Sequence, residues 1–151
     1  MIGRKRRVTA ERRAEVGELT DAVVRWARQM PAVAALGMCG SWAGGRPTMG
    51  SDVDLIVLTG ARAALVQDHD WALVAAGDGS RVVRQQDWGG LLTEIRVRRA
   101  SGLEVELGVA DLAWAAASPV DRGTARVVSD GFVVLHDPSG MLAALVAAVR
   151  G

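Results

Sequence analysis

The chain of 151 residues has no tyrosine, one phenylalanine, one cysteine, four prolines and a single lysine, Lys5, among its 18 basic residues. Each scarcity removes a class of protein. One thiol, Cys39, cannot close an internal disulfide, so a disulfide-stapled scaffold is excluded; its place just before Gly40 reads as a small buried strand residue rather than a catalytic thiol. There are no repeats, low-complexity tracts or linkers, which excludes solenoids and tethered modules. No apolar run approaches the roughly 20 residues of a membrane span, so no membrane partner is expected. A formal net charge of only +1 excludes a domain-wide surface for polyanions. The basic residues are unevenly placed: Arg4, Lys5, Arg6, Arg7, Arg12 and Arg13 crowd the start, and residues 1–9 are expected to form a disordered, solvated tail rather than an RNA contact. That start resembles the n-region of a signal peptide, but Val8 to Glu18 is charged where an apolar stretch would follow, which points to the cytoplasm.

Half of the residues are apolar, enough for one domain, 1–151, with its own core. Val16, Leu19, Val23, Trp26, Ala27 and Met30 recur in steps of three and four and predict a helix over 10–30, ended by Pro31, with Trp26 as a core anchor. Residues 32–39 and 52–58 read as strands. Residues 61–76 read as helical with a break at Asp68-His69-Asp70, where capping and a surface histidine account for the residues better than a metal site. A short strand is expected over 81–86. A short helix is expected over 111–116, and a final hairpin of 125–128 with 132–135 about Asp130-Gly131. His136 falls at the end of that hairpin as a surface residue. The last helix, 141–149, is apolar on nearly every side, so it is either buried all round or an interface.

Residues 91–99 and 103–109 both alternate, and Ala100-Ser101-Gly102 suits a three-residue hairpin loop with glycine in the left-handed position. That loop places Arg98 opposite Glu104, Val97 opposite Val105, Arg96 opposite Glu106 and Ile95 opposite Leu107. One face is then apolar and the other charged. The charged face is either two solvated ion pairs, worth under about 1 kcal/mol each, or the wall of a cleft.

The chain is organised around Gly40 to Leu55, where an apolar run enters a Gly-Ser turn, a Gly/Pro-rich loop follows, and a second apolar run carries Asp52 and Asp54. Alternation along a strand puts both carboxylates on one side, close enough to share hard cations. Glycine followed by a small hydroxyl residue at a strand end leaves backbone N–H groups free for a phosphate. Gly40, Ser41, Ala43, Gly45, Ser51, Asp52, Asp54 and Leu55 together fill a pattern, Gly-Ser-x-Ala-x-Gly followed by Ser-Asp-x-Asp-Leu, and the chain resembles the polymerase-beta-like nucleotidyltransferase superfamily in its small stand-alone bacterial form. The stretch Gly102 to Gly108, with Trp114, Pro119, Asp121, Gly123 and Thr124 after it, resembles the tail of the same proteins.

The resemblance implies an α/β fold, a mixed sheet with helices on one face and the carboxylates on the other. It implies a reaction in which an acceptor oxygen displaces pyrophosphate from a nucleoside triphosphate, ATP foremost. Asp52 and Asp54 would hold Mg²⁺, with Mn²⁺ as the alternative. The third acid is expected on a neighbouring strand; position favours Glu106, a pleat deeper than Glu104 and followed by Gly108, with Glu94 behind them. Gly40 and Ser41 would hold the outer phosphates, and Arg46 or Arg96 would add charge in the transition state. The acceptor, a small molecule or a partner protein, is not legible, and a homodimer through the C-terminal helix could supply a missing wall. The competing readings are an antitoxin-type nucleotidyltransferase that binds and modifies a toxin, and a nucleotide-binding module without turnover.

Overall fold

The computed structural model describes residues 6–151. The expected tail 1–9 falls partly outside the described residues; of the remainder, the Arg6 carbonyl accepts from Met49 N–H at 3.0 Å, and Thr9 caps the first helix by accepting from Arg12 N–H at 3.1 Å. That helix, α1 (Ala10–Gln29), buries Val16, Leu19, Val23, Trp26 and Ala27, the stripe its spacing predicts. Then follow β1 (Val33–Cys39), the single turn α2 (Gly40–Ala43), β2 (Val53–Thr59), α3 (Arg62–Gln67) and α4 (Asp70–Ala76). The helical stretch is indeed broken at Asp68-His69, and His69 Nε2 meets Gln85 Oε1 at 2.6 Å rather than a cluster of metal ligands. β3 (Arg81–Asp87), β4 (Leu92–Arg98) and β5 (Glu104–Asp111) come next, then a 3₁₀ turn (Leu112–Ala115), α5 (Arg122–Asp130), β6 (Phe132–His136) and α6 (Met141–Arg150).

The six strands form one mixed sheet in the order β3-β4-β5-β2-β1-β6. Only β2 and β5 run parallel, and they bring Asp54 level with Glu106. The β4–β5 hairpin has the register that its loop predicts, Arg98 with Glu104, Arg96 with Glu106 and Ile95 with Leu107. Gly102 takes φ +92° there, a backbone state that strains any residue with a Cβ.

Side chains of odd-numbered β2 and β5 residues (Val53, Leu55, Val57, Val105, Leu107, Val109) pack under α1, α3 and α4. Trp26 stacks on Trp71 there, ring centres 5.3 Å apart, and the Trp71 indole N–H donates to the Leu65 carbonyl at 2.6 Å. The even-numbered residues face the other way: Asp54 shares its side with Ile56, Leu58 and Ala110. This side is open at the carboxylates but covered farther along by Trp114, α5 and α6. The second face thus carries helices as well as the acids.

Residues 125–128 are not a hairpin strand. They belong to α5, whose N-cap Asp121 accepts from Thr124 N–H at 3.0 Å and which buries Thr124 and Val128, four residues apart. Asp130-Gly131 ends a helix instead of turning a hairpin, and Gly131 lies so close to α2 that a Cβ would stand 2.7 Å from the Gly44 Cα. Nor is α6 buried all round. It buries Leu142 and Leu145, while Ala143, Ala144, Ala147 and Ala148 are exposed, the side on which the expected homodimer would meet.

Candidate active site

Asp52 stands just before β2 and Asp54 is its second residue, so the pleat aims both carboxylates to the same side. The parallel pairing of β2 with β5 supplies the third acid. One carboxylate oxygen from each of Asp52, Asp54 and Glu106 lies within 4.8 Å of the others, a group that could hold a metal ion. Glu104, one pleat nearer the hairpin turn, is outside this set among the described residues.

Gly40 abuts the cluster. Its φ is +76°, and a Cβ would collide with the Asp54 carboxylate. Glycine is therefore demanded at this position by the acid as well as by the turn, a reason that the sequence pattern alone does not reveal. Ser41 follows in the first turn of α2, whose N-cap, Cys39, makes no side-chain cap bond. Arg46 closes the Gly-Ser turn through its N–H, which donates to the Ser41 carbonyl at 2.9 Å, while its guanidinium donates to the Asp130 carbonyl at the end of α5, at 2.8 Å.

The charge balance of the cleft is unusual. Arg96, from β4, reaches Asp52 at 3.3 Å and Glu104 at 2.9 Å and is in contact with Glu106. Glu104 also binds Arg98 at 2.8 Å, and Arg84 lies 3.2 Å from Glu94 and 4.0 Å from Glu106. Five carboxylates thus face three guanidiniums. Alternation along β4 puts Glu94, Arg96 and Arg98 on this face, but the diagonal reach of Arg96 to three acids is set by side-chain length and by the neighbouring strands. Its Nε is buried without a partner.

Burial pushes the Asp54 carboxyl up to about 7, and the negative charges of Asp52 and Glu94 add to the effect. Burial also raises Asp52, against the lowering pull of Arg96. Glu104 is held below the usual carboxylate range, first by its hydrogen bond with Arg98. Two acids whose charged forms are disfavoured, beside a third, make a site whose ionisation is completed by a cation. Cys39 lines the same cleft, and burial followed by repulsion from Asp54 and Glu94 pushes its thiol up to about 12, which removes it as a nucleophile.

No protein-family model matches the chain, and no curated protein does. Solved structures do. Cid1 poly(U) polymerase with Mg 3'-dATP bound is 17% identical over 68% of this chain and 32% of that one, with a TM-score of 0.52. A cytoplasmic RNA terminal U-transferase is 17% identical, with the same shares of both chains and a TM-score of 0.51. Cid1 bound to the short product ApU is 15% identical over 68% of this chain, with a TM-score of 0.50. The chain spans about a third of the length of these structures. At such identity the likeness is one of fold, and no helix among the described residues is long and apolar enough to cross a membrane. The mixed sheet that levels Asp54 with Glu106 is the nucleotidyltransferase-like fold, the fold of the superfamily that the Gly40–Leu55 motif resembles.

Proposed function

We propose that the chain is a metal-dependent nucleotidyltransferase that moves a nucleoside monophosphate, AMP first among them, from its triphosphate to an acceptor hydroxyl. The observation that carries this reading is the convergence of Asp52, Asp54 and Glu106 within 4.8 Å beside the Gly40-Ser41 turn. Structures of the same fold bound to Mg 3'-dATP and to MgGTP support the donor class.

The acids fit a hard divalent cation by number, by oxygen chemistry and by their shortage of positive charge. Asp52 and Asp54 would hold the Mg²⁺ or Mn²⁺ of the donor, and Glu106 would complete a second site on the acceptor side. Bound there, the cations supply charge compensation and a more acidic acceptor hydroxyl. Gly40 and Ser41 position the outer phosphates. The acceptor oxygen then forms its bond to the α-phosphorus, the bridge to the β-phosphate breaks, pyrophosphate leaves, and the hydroxyl proton passes to solvent. The test is pyrophosphate release from ATP, GTP, CTP and UTP in Mg²⁺ or Mn²⁺ across a panel of acceptors. A protein that binds the triphosphates yet releases none with any acceptor is a binding module instead.

Arg96 takes the oxygens that a second cation needs. Arg96→Met should therefore tighten Mn²⁺ binding, by about tenfold in calorimetry, and lower the melting temperature of the metal-free protein, because Asp52, Glu104 and Glu106 lose their shared counter-charge. Weaker Mn²⁺ binding in the variant would instead make Arg96 a support of the site.

Ser41→Ala should weaken triphosphate binding by only about 1–2 kcal/mol, one hydrogen bond to a charged group. Gly40→Ala should do far more, because its Cβ displaces Asp54. Isothermal titration with a nonhydrolysable triphosphate separates the two.

A further inference from the structure

A groove leads away from the carboxylates along the sheet. Its near end, about 170 Å³, is floored by Ile56 and Gly108 and bounded by Asp54, Glu94 and Glu106. Its far end, about 400 Å³, lies between the β3–β4 loop and α5, beneath Trp88 and beside Trp114. Leu92 and Val127 line both ends, so the two cavities adjoin at these side chains. Gly108 lets Ile56 and Leu92 pack down as the floor, since a Cβ there would stand 2.9 Å from Ile56 Cδ1 and 3.0 Å from Leu92 Cδ1. The far end alone is within the range of small-ligand sites, about 300–1,000 Å³.

The lining states the chemistry of the occupant. Trp88 is 57% exposed, yet its ring is held, the indole N–H donating to Glu94 Oε2 at 3.2 Å. A large exposed aromatic, fixed in place beside an apolar cavity, is a surface for another flat ring. The nearby carboxylates are already engaged: Asp121 accepts from the Thr124 N–H at 3.0 Å, and Glu94 accepts from Trp88 and Arg84. Arg84 thus balances Glu94, while Asp121, whose partner is a neutral N–H, keeps its charge and disfavours an anion in the far end.

The direction of the groove says which substrate enters it. Cys39 pairs with Asp54, and the chain turns at Gly40 beyond that pair, so the Gly-Ser turn lies at the Asp52 end of β2. The groove departs the other way, past Gly108, which pairs with Glu94, to Leu92, which pairs with Ala110. Entering and leaving oxygens lie roughly in line across the α-phosphorus. With the outer phosphates at Gly40-Ser41, the acceptor comes from the opposite side. Resting on the nucleotidyl-transfer reading, we propose that this groove is the acceptor site and takes an alcohol, not an anion, built on a flat, mainly apolar ring. The ring lies against Trp88, one to two pleats, roughly 7–13 Å, from Glu106, and the hydroxyl extends toward that acid.

Calorimetry with naphthylethanol, a neutral ring with a hydroxyl, tests this beside a separate titration of ATP with Mn²⁺. Saturable naphthylethanol binding to the parent is expected, weakened at least about tenfold by Val127→Trp and by Leu92→Trp, which fill the groove, with ATP binding kept. A melting curve like the parent's qualifies either variant for the comparison. No saturable binding to the parent, or equal binding in the filled variants, overturns the site. Competition of naphthylethanol with ATP but not with tripolyphosphate assigns the groove to the donor's base and overturns the acceptor role. Failure of ATP to bind in Mn²⁺ while naphthylethanol still does brings down the nucleotidyl-transfer reading, and the acceptor role with it, but leaves the ring site standing.

Discussion

Asp54→Asn is expected to abolish pyrophosphate release and metal-dependent triphosphate binding, and to make the metal-free protein more stable. The two effects have one cause. Asp54 is the most crowded of the three acids, level with Glu106, beside Asp52 and against Gly40. Its carboxyl is pushed up to about 7 by burial and by its neighbours' charge. The folded protein therefore holds the Asp54 proton more tightly than the unfolded chain does. The stability linked to this group is complete below about pH 4, the unfolded value, and is lost as pH rises through about 7. The stability of the metal-free parent, read by its melting temperature, should thus fall between those values. Asn carries no such proton, so the variant should keep only the share that Asp52, also raised, contributes. The order should reverse with Mn²⁺ present: the parent gains stability from the ion and the variant does not. Equal turnover in the two proteins would remove Asp54 from the site.

Much of this site is legible in the sequence because local rules decide it. The three-residue loop at Ala100–Gly102 leaves the β4–β5 hairpin one register that buries Ile95, Val97, Val105 and Leu107, and the structure has that register. The spacing of Asp52 and Asp54 on one strand needs only the pleat. The parts that sequence reasoning misses depend on elements far apart in the chain. Gly40 is tied to Asp54 by a close approach across β1 and β2. Arg96 spans three acids from two separate segments, Asp52 before β2 and Glu104 and Glu106 on β5, and the groove is assembled from β2, β5, the β3–β4 loop and α5. Residues 125–128 mislead because valines near Asp130-Gly131 look like a strand before a tight turn. The deciding signals are the Asp121 cap three residues before Thr124, and the four-residue step from Thr124 to Val128 that suits a helix face.

The two glutamates of β5 should part company in kinetics. Glu106 belongs to the set of oxygens within 4.8 Å; Glu104 does not. Glu106→Gln is expected to lower turnover by roughly two orders of magnitude, the scale of losing one group that compensates charge in the transition state. Donor binding should weaken far less, since Asp52 and Asp54 remain to hold the cation of the triphosphate. Glu104→Gln acts on another layer. Glu104 accepts from Arg96 at 2.9 Å and from Arg98 at 2.9 Å, so its loss unties Arg96 on one side and weakens a partly exposed ion-pair network. Such pairs contribute about 0.2–1 kcal/mol each, so a slightly lower melting temperature with turnover within a few-fold of the parent is expected. Steady-state kinetics on both variants, with donor binding measured separately, decide the assignment. A dead Glu104→Gln beside a healthy Glu106→Gln would move the third ligand one pleat toward the hairpin turn. Full activity in both would leave Glu94, which shares the groove with Glu106, as the acid to test next.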